Sequence, residues 1–210
     1  MTTPDEEALA RNDRYLREFV EGLRMCPYAR VCREGGKLLR RVLRSREQAL
    51  PAIAGLEALP KESVEVALFI FPGEPATGEA SARAFQSFCA GVRDQMFARH
   101  RGEPPFYAVA FHPALPRDLS DANRAVQLVR RSPDPTLQLV RASVLRSVRG
   151  HDDGGSRYVD TSKLTLEQAM ALVSPLTLAE RIAQANLNTL QRMGPDEVEA
   201  LLASFRRHHP

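Results

Sequence analysis

The chain has 210 residues, 43% of them hydrophobic, and 29 basic side chains nearly balanced by 26 acidic ones for a formal charge of +3. That is enough for one sizeable core, and the near-neutral balance carries no dedicated nucleic-acid signal. The acidic start MTTPDEEALARND is unlike a secretory leader, no window approaches the roughly 18 apolar residues of a membrane span, and three cysteines do not make a disulfide framework, so the chain is expected to be one cytoplasmic domain over 1–210 with reduced thiols.

Thr3, Pro4 and Glu6 form a capping-box start, and Leu9, Leu16, Phe19, Val20 and Leu23 then fall on one stripe, predicting a helix to about Leu23. After the Gly35-Gly36 turn, KLLRRVL is a strand candidate, and REQALPAIAGLEAL is a helix interrupted by Pro51. VEVALFIF is a continuous apolar run, which predicts a strand covered on both faces. Phe85, Phe88, Cys89, Val92 and Met96 recur at helical spacing. PFYAVAFHP predicts a strand stopped by Pro113, SDANRAVQLVRR a helix capped by Ser120, and LQLVRASVL another strand. The Gly-rich stretch at 150–165 predicts a loop or insertion. Thr165 with Gln168 and Thr177 with Glu180 fit capping boxes, and Gly194-Pro195 marks a stop before a C-terminal helix over 195–210. The order implies an α/β layered fold: a roughly four-stranded mixed sheet with flanking helices and a helical C-terminal part.

Chemistry enters at RMCPYAR, residues 24–30. Pro27 disfavours helix at Cys26 and suits the first turn of a new one, so Cys26 is a candidate N-cap. There a thiol faces free backbone N–H groups, and Arg24 and Arg30 stand nearby; both lower a cysteine pKa. The alternative is a small buried apolar residue, which is how Cys89 reads on its helix stripe. His112 ends the strand face of Phe106, Ala108 and Ala110, where small side chains leave room for a ligand; the alternative is a ring bonded to its own loop. In RRSPDPTLQLVR the prolines stiffen the approach to the strand, and Arg131, Ser132 and Arg141 are candidate anion-binding groups. For Arg141 the alternative is an ion pair with Glu65, which also sits in an apolar strand. Asn186 lies on the inner stripe of a late helix and either caps a neighbouring strand or lines the site.

MCPYA (25–29), FHP (111–113), RSPDPTLQLVR (131–141) and NLNTLQRMG (186–194) resemble, in order, the signature segments of a bacterial family, domain-of-unknown-function family 1415. Its members typically read Cys-Pro-Phe-Ala, Phe-His-Pro, Arg-Ser-Pro-Tyr-Pro with a following Leu-Arg, and a closing Asn with Thr-Leu and Leu-Gly. The resemblance spans 15–194 and places Cys26, Pro27, His112, Pro113, Arg131, Ser132, Pro133, Pro135, Arg141 and Asn186 on motif positions. Glu65 resembles the glutamate opening the family's Glu-Thr-Thr strand, with Val66 and Ala67 in place of the threonines. Asp134 stands where the family usually has tyrosine, and Arg130 where asparagine often precedes the Arg-Ser-Pro. The resemblance supplies positions and no reaction.

The expected site gathers Cys26, His112, Arg131 and Arg141, with Ser132, Glu65 and Asn186 beside them. Cys26 would be the nucleophile and His112 the general acid or base, with the arginines holding an anionic metabolite, as in a small-molecule hydrolase or transferase. One alternative is a metal- or haem-binding protein using Cys26 and His112, with Glu65 as a third ligand. Another is a non-catalytic ligand-binding or protein-interaction domain with KLLRRVLRSR as a contact face. No Gly-rich phosphate loop or dinucleotide fingerprint points to a nucleotide, so the sequence names no cofactor, and it does not fix the oligomeric state. Geometry separates the readings: a dyad requires Cys26 and His112 on one face of the sheet.

Overall fold

The structure is a computed structural model and describes residues 2–150 and 177–206. The 151–165 stretch, the Thr165–Gln168 box and residues 207–210 of the expected last helix lie outside them. Helix α1 spans Pro4–Arg14, with Thr3 as N-cap and the expected box to Glu6 in place. Beyond it the chain widens into a π-helical segment, Tyr15–Glu21. The predicted single helix therefore changes its hydrogen-bond period halfway. Short helix α2 (Ala29–Glu34) leads into strand β1 (Leu38–Val42).

A 3-10 turn (Arg46–Gln48) runs into α3 (Ala49–Glu57), and Pro51 does not interrupt it. Pro51 is the third residue of α3, inside the first turn, where a proline's missing N–H has no helical partner to lose. Then come β2 (Val66–Ile70), α4 (Glu79–Arg99), β3 (Phe106–Phe111) and α5 (Ala122–Val129). The α5 cap is Asp121 rather than Ser120: its carboxylate accepts from the N–H groups of Asn123 and Arg124. Strand β4 is Thr136–Arg141, and the ASVL expected to extend it turns instead into α6 (Ala142–Gly150). Helices α7 (Leu178–Met193) and α8 (Pro195–Ser204) follow, parted by Gly194 at φ 87°, and Thr177 caps α7 through its box with Glu180.

The four strands form one mixed sheet in the order β1-β2-β4-β3, with β1 parallel to β2 and the other two contacts antiparallel. Because side chains alternate across a strand, β2 feeds two cores. Ala67 and Phe69 join Ile53 and Leu56 of α3 and Phe85, Val92 and Met96 of α4 on one face. Leu68 joins Tyr15, Phe19, Leu128, Leu187, Val198 and Phe205 on the other. Helices on both faces explain why Val66–Ile70 is apolar throughout, since a central strand so covered has no solvent side. Among the described residues no helix is long and apolar enough to cross a membrane.

Candidate functional site

The turn that carries Cys26 is built from below by the π-helical segment. Its wide ring leaves Gly22 N–H donating to the Arg17 carbonyl at 2.9 Å and Met25 N–H to the Val20 carbonyl at 2.8 Å. A Cβ on Gly22 would lie 2.4 Å from the Glu18 carbonyl oxygen, so only glycine fits. Arg24 turns the chain at φ 57°, and buried Asn186 on α7 fixes the exit by donating from Nδ2 to the Met25 carbonyl at 3.0 Å. Asn186 thus holds the backbone beside Cys26, not a strand. Half-buried Cys26 packs against the core of the α7–α8 face. Burial pushes its thiol pKa up, against the lowering effect of the Tyr28 and Ala29 amides aimed at Sγ. The expected depression is reversed, because the amides are there but desolvation outweighs them. Neither Arg24 nor Arg30 contributes; Arg30 reaches toward Glu21 at 3.6 Å.

Two further groups adjoin this turn, and the sequence candidates omitted both. Tyr15, on the π-helical segment, is fully buried and donates its hydroxyl to the Val129 carbonyl at 2.5 Å. Burial drives its pKa far up; the Arg130 cation opposes this and the Cys26 charge adds to it. Arg130 itself is largely withdrawn from water, its pKa lowered by burial, with no carboxylate at ion-pair distance among the described residues. Its only sequence signal is that it breaks the asparagine habit of the motif it precedes.

His112 is elsewhere. Its ring is fully buried against Phe85, with centroids 5.9 Å apart, in the core of the α3–α4 face. Ala114 N–H donates to Nδ1 at 3.1 Å, so the proton sits on Nε2, which donates to the Pro75 carbonyl at 2.9 Å. Neither nitrogen is free, and burial lowers its pKa. Beside it, Arg131 donates from Nε to the Pro113 carbonyl at 2.7 Å and from Nη1 to Glu199 of α8 at 2.5 Å. Ser132 donates to the Asp134 carbonyl at 2.6 Å, and the Asp134 carboxylate receives both nitrogens of the Arg11 fork at 3.1 and 3.0 Å. These side chains clasp the sheet end to α1 and α8.

Arg141 and Glu65 form a third group, at the far end of β4. A rise of roughly 3.3 Å per residue puts the two ends of β4 about 17 Å apart, so Arg131 and Arg141 do not share a ligand. Arg141 N–H donates to the Glu65 carbonyl at 2.8 Å, but the side chains do not pair. The guanidinium donates from Nε to the Val64 carbonyl at 2.6 Å and lies 4.5 Å over the Phe106 ring, while the Glu65 carboxylate takes Lys37 at 2.5 Å. The buried Nη2 of Arg141 has no hydrogen-bond partner among the described residues.

The seven candidates therefore fall into three places: Cys26 with Asn186, His112 with Arg131 and Ser132, and Glu65 with Arg141. Cys26 and His112 lie on opposite faces of the sheet, so they form neither a nucleophile–base pair nor, with Glu65, a metal donor set. Among the described residues no three of His, Cys, Asp and Glu converge on a common point. Two shallow depressions, about 630 Å³ beside Asn188, Gln191 and Arg192 and about 390 Å³ between Arg117, Leu119 and Pro195, have neither Cys26 nor Arg130 among their described walls. In comparisons with known proteins, the model of a family described as a protein of unknown function, DUF1415, matches residues 7–156. No curated protein and no solved structure matches.

Proposed function

Since the chain belongs to the DUF1415 family, whose description assigns no reaction, we infer its function from the site alone: it binds a small anionic ligand on the α7–α8 face, between Arg130 and the Cys26 turn. Arg130 carries the proposal. A guanidinium keeps its charge at every physiological pH, and withdrawing it from water without a counter-charge is unfavourable. A bound carboxylate or phosphate would offset that cost through the planar fork of donors. Asn186 and Gly22 then serve to fix the Cys26 backbone beside the ligand. A thiol-dependent hydrolase or transferase acting on the same ligand is the second reading. The Tyr28 and Ala29 amides favour it, because they are placed to hold a thiolate once a ligand supplies a base.

The test is thermal unfolding of wild type, Arg130→Met and Cys26→Ala in phosphate, citrate and a panel of carboxylate and phosphate metabolites. At a hundredfold excess over Kd a ligand adds about 2.7 kcal/mol, a rise of roughly 5–10 °C in Tm for a chain of this size. Wild type and Cys26→Ala are expected to show the rise and Arg130→Met to lose it. An equal rise in Arg130→Met, or none with any anion, would discard the reading. Turnover of a bound ligand by wild type but not by Cys26→Ala would select the enzyme.

A further inference from the structure

The chain between Met25 and Lys37 leaves the fold and returns to it with few ties. Met25 is fixed on both sides, its N–H donating to the Val20 carbonyl and its own carbonyl accepting from Asn186. Lys37 is fixed again, because its carbonyl accepts the Glu65 N–H at 2.9 Å. Among the described residues, the main-chain hydrogen bonds between these two points stay inside the excursion: Ala29 N–H to the Cys26 carbonyl, Cys32 to Tyr28, Gly35 to Val31 and Gly36 to Arg33. A helix as short as α2 is marginal without tertiary contacts. Its outer face contributes little, since Tyr28 is 43% and Val31 72% exposed, and of its apolar side chains only Cys26, Ala29 and Cys32 turn inward.

One strong tether remains. Glu21, the last residue of the π-helical segment, has a side chain only 3% exposed and receives both nitrogens of the Arg33 fork, Nε at 2.7 Å and Nη2 at 2.8 Å. Those bonds hold the Glu21 carboxyl pKa below its ordinary value against the opposing effect of burial, so the pair is ionic at neutral pH. We propose that the Glu21–Arg33 pair is the latch of a small flap, residues 26–36, which swings between Met25 and the Gly35-Gly36 turn and sets access to the Cys26 thiol. Gly36, at φ 69°, supplies a hinge that a side chain would strain. Breaking the pair with the flap closed leaves a buried carboxylate with only Arg30 in ion-pair reach, at 3.6 Å, so rupture and opening are coupled. Because Cys26 adjoins the anion site, the latch also governs entry to it; that consequence rests on the Arg130 reading, and the latch itself does not.

The test is alkylation of the three cysteines by iodoacetamide, a neutral reagent, followed residue by residue by mass spectrometry on the native protein with no anion ligand added. In Glu21→Gln and Arg33→Met, Cys26 and Cys32 are expected to react at least about tenfold faster than in wild type, the effect of losing a charge-assisted pair. Cys89, in the core of the opposite face of the sheet, keeps its rate. Arg30→Met is the control and should match wild type, since the Arg30 side chain is 63% exposed. Unchanged Cys26 labelling in both latch variants would overturn the proposal, as would a rise shared by Cys89, the mark of global unfolding. If a variant fails to fold, amide exchange of wild type decides: the Cys32 and Gly35 amides are expected to exchange together and faster than those of Met25 and β2. Protection equal to that of β2 would overturn the latch. With no anion present, failure here leaves the Arg130 reading standing, and failure of the thermal test with anions leaves the latch standing.

Discussion

His112 illustrates how a histidine at a sheet rim is used for structure. Its Nε2–H is donated to Pro75 and its Nδ1 accepts from Ala114, so only the neutral ring fits; a second proton would face the Ala114 N–H. Burial lowers the pKa, Arg206 acts the same way, and the Pro75 carbonyl and Glu74 oppose them. With the folded value below the ordinary one near about 6.5, the unfolded chain binds more protons, so stability rises with pH in that window. The contribution is fully present above the unfolded value and is lost as pH falls toward the depressed folded value. Urea unfolding from neutral to mildly acidic pH should therefore show a stability decline that His112→Gln flattens, with at most about 1.4 kcal/mol per pH unit at stake. An identical decline in the variant would place the titrating group elsewhere. Arg141 makes a related point, because an arginine on an apolar strand face suggested an ion pair with Glu65. The fold instead uses a carbonyl and an aromatic ring as its partners.

Elements formed by near neighbours were legible, and those set by distant contacts were not. The Thr3 and Thr177 boxes are where their three-residue spacing puts them, since a capping bond needs nothing outside its own turn. The same locality explains α4 and the four strands. The π-helical segment was not legible: its apolar stripe fits either period, and the sign that decides is a steric one at Gly22. Gly22→Ala should test this. Its new Cβ would meet backbone oxygens at 2.4 and 3.1 Å, so the turn must open, at a cost of about 1–3 kcal/mol in unfolding free energy by denaturant titration. Gly55→Ala, at an exposed position of helix α3 with nothing within 4 Å of its Cβ, is the control and should gain up to about 1 kcal/mol. Equal effects at the two glycines would refute the steric account. Alternation also told which residues of β3 share a face with His112. It did not tell which face receives a turn more than eighty positions earlier, and that contact decided whether Cys26 and His112 meet.

At the scale of the whole molecule, the motif residues most suggestive of a ligand site mainly join the chain's early and late helices to one end of the sheet. Arg11 ties α1 to the start of β4 through Asp134, and Arg40 of β1 takes Asp13 of α1 at 3.0 Å. Arg131 ties the approach to β4 to Glu199 of α8, and Arg206 supports it by donating to the same Pro113 carbonyl at 3.0 Å. Burial raises the Glu199 carboxyl pKa, but Arg131 and then Arg117 outweigh it, so the net shift is downward. Its share of stability is present above the ordinary carboxylate range and is lost as pH falls through the depressed folded value. Arg131 is 8% exposed and bonds a carboxylate and a carbonyl together, so Arg131→Met should cost about 2–3 kcal/mol and loosen α8 first. Glu199→Gln should cost less, since the Glu199 side chain is 25% exposed and a neutral amide oxygen still accepts from Arg131. Combining Arg131→Met with Glu199→Gln in a double-mutant cycle should give a coupling of about 1 kcal/mol or more, with faster amide exchange along α8 in both single variants. Additive energies, or exchange that changes only around Cys26, would mean that Arg131 is not the clasp for the C-terminal helix.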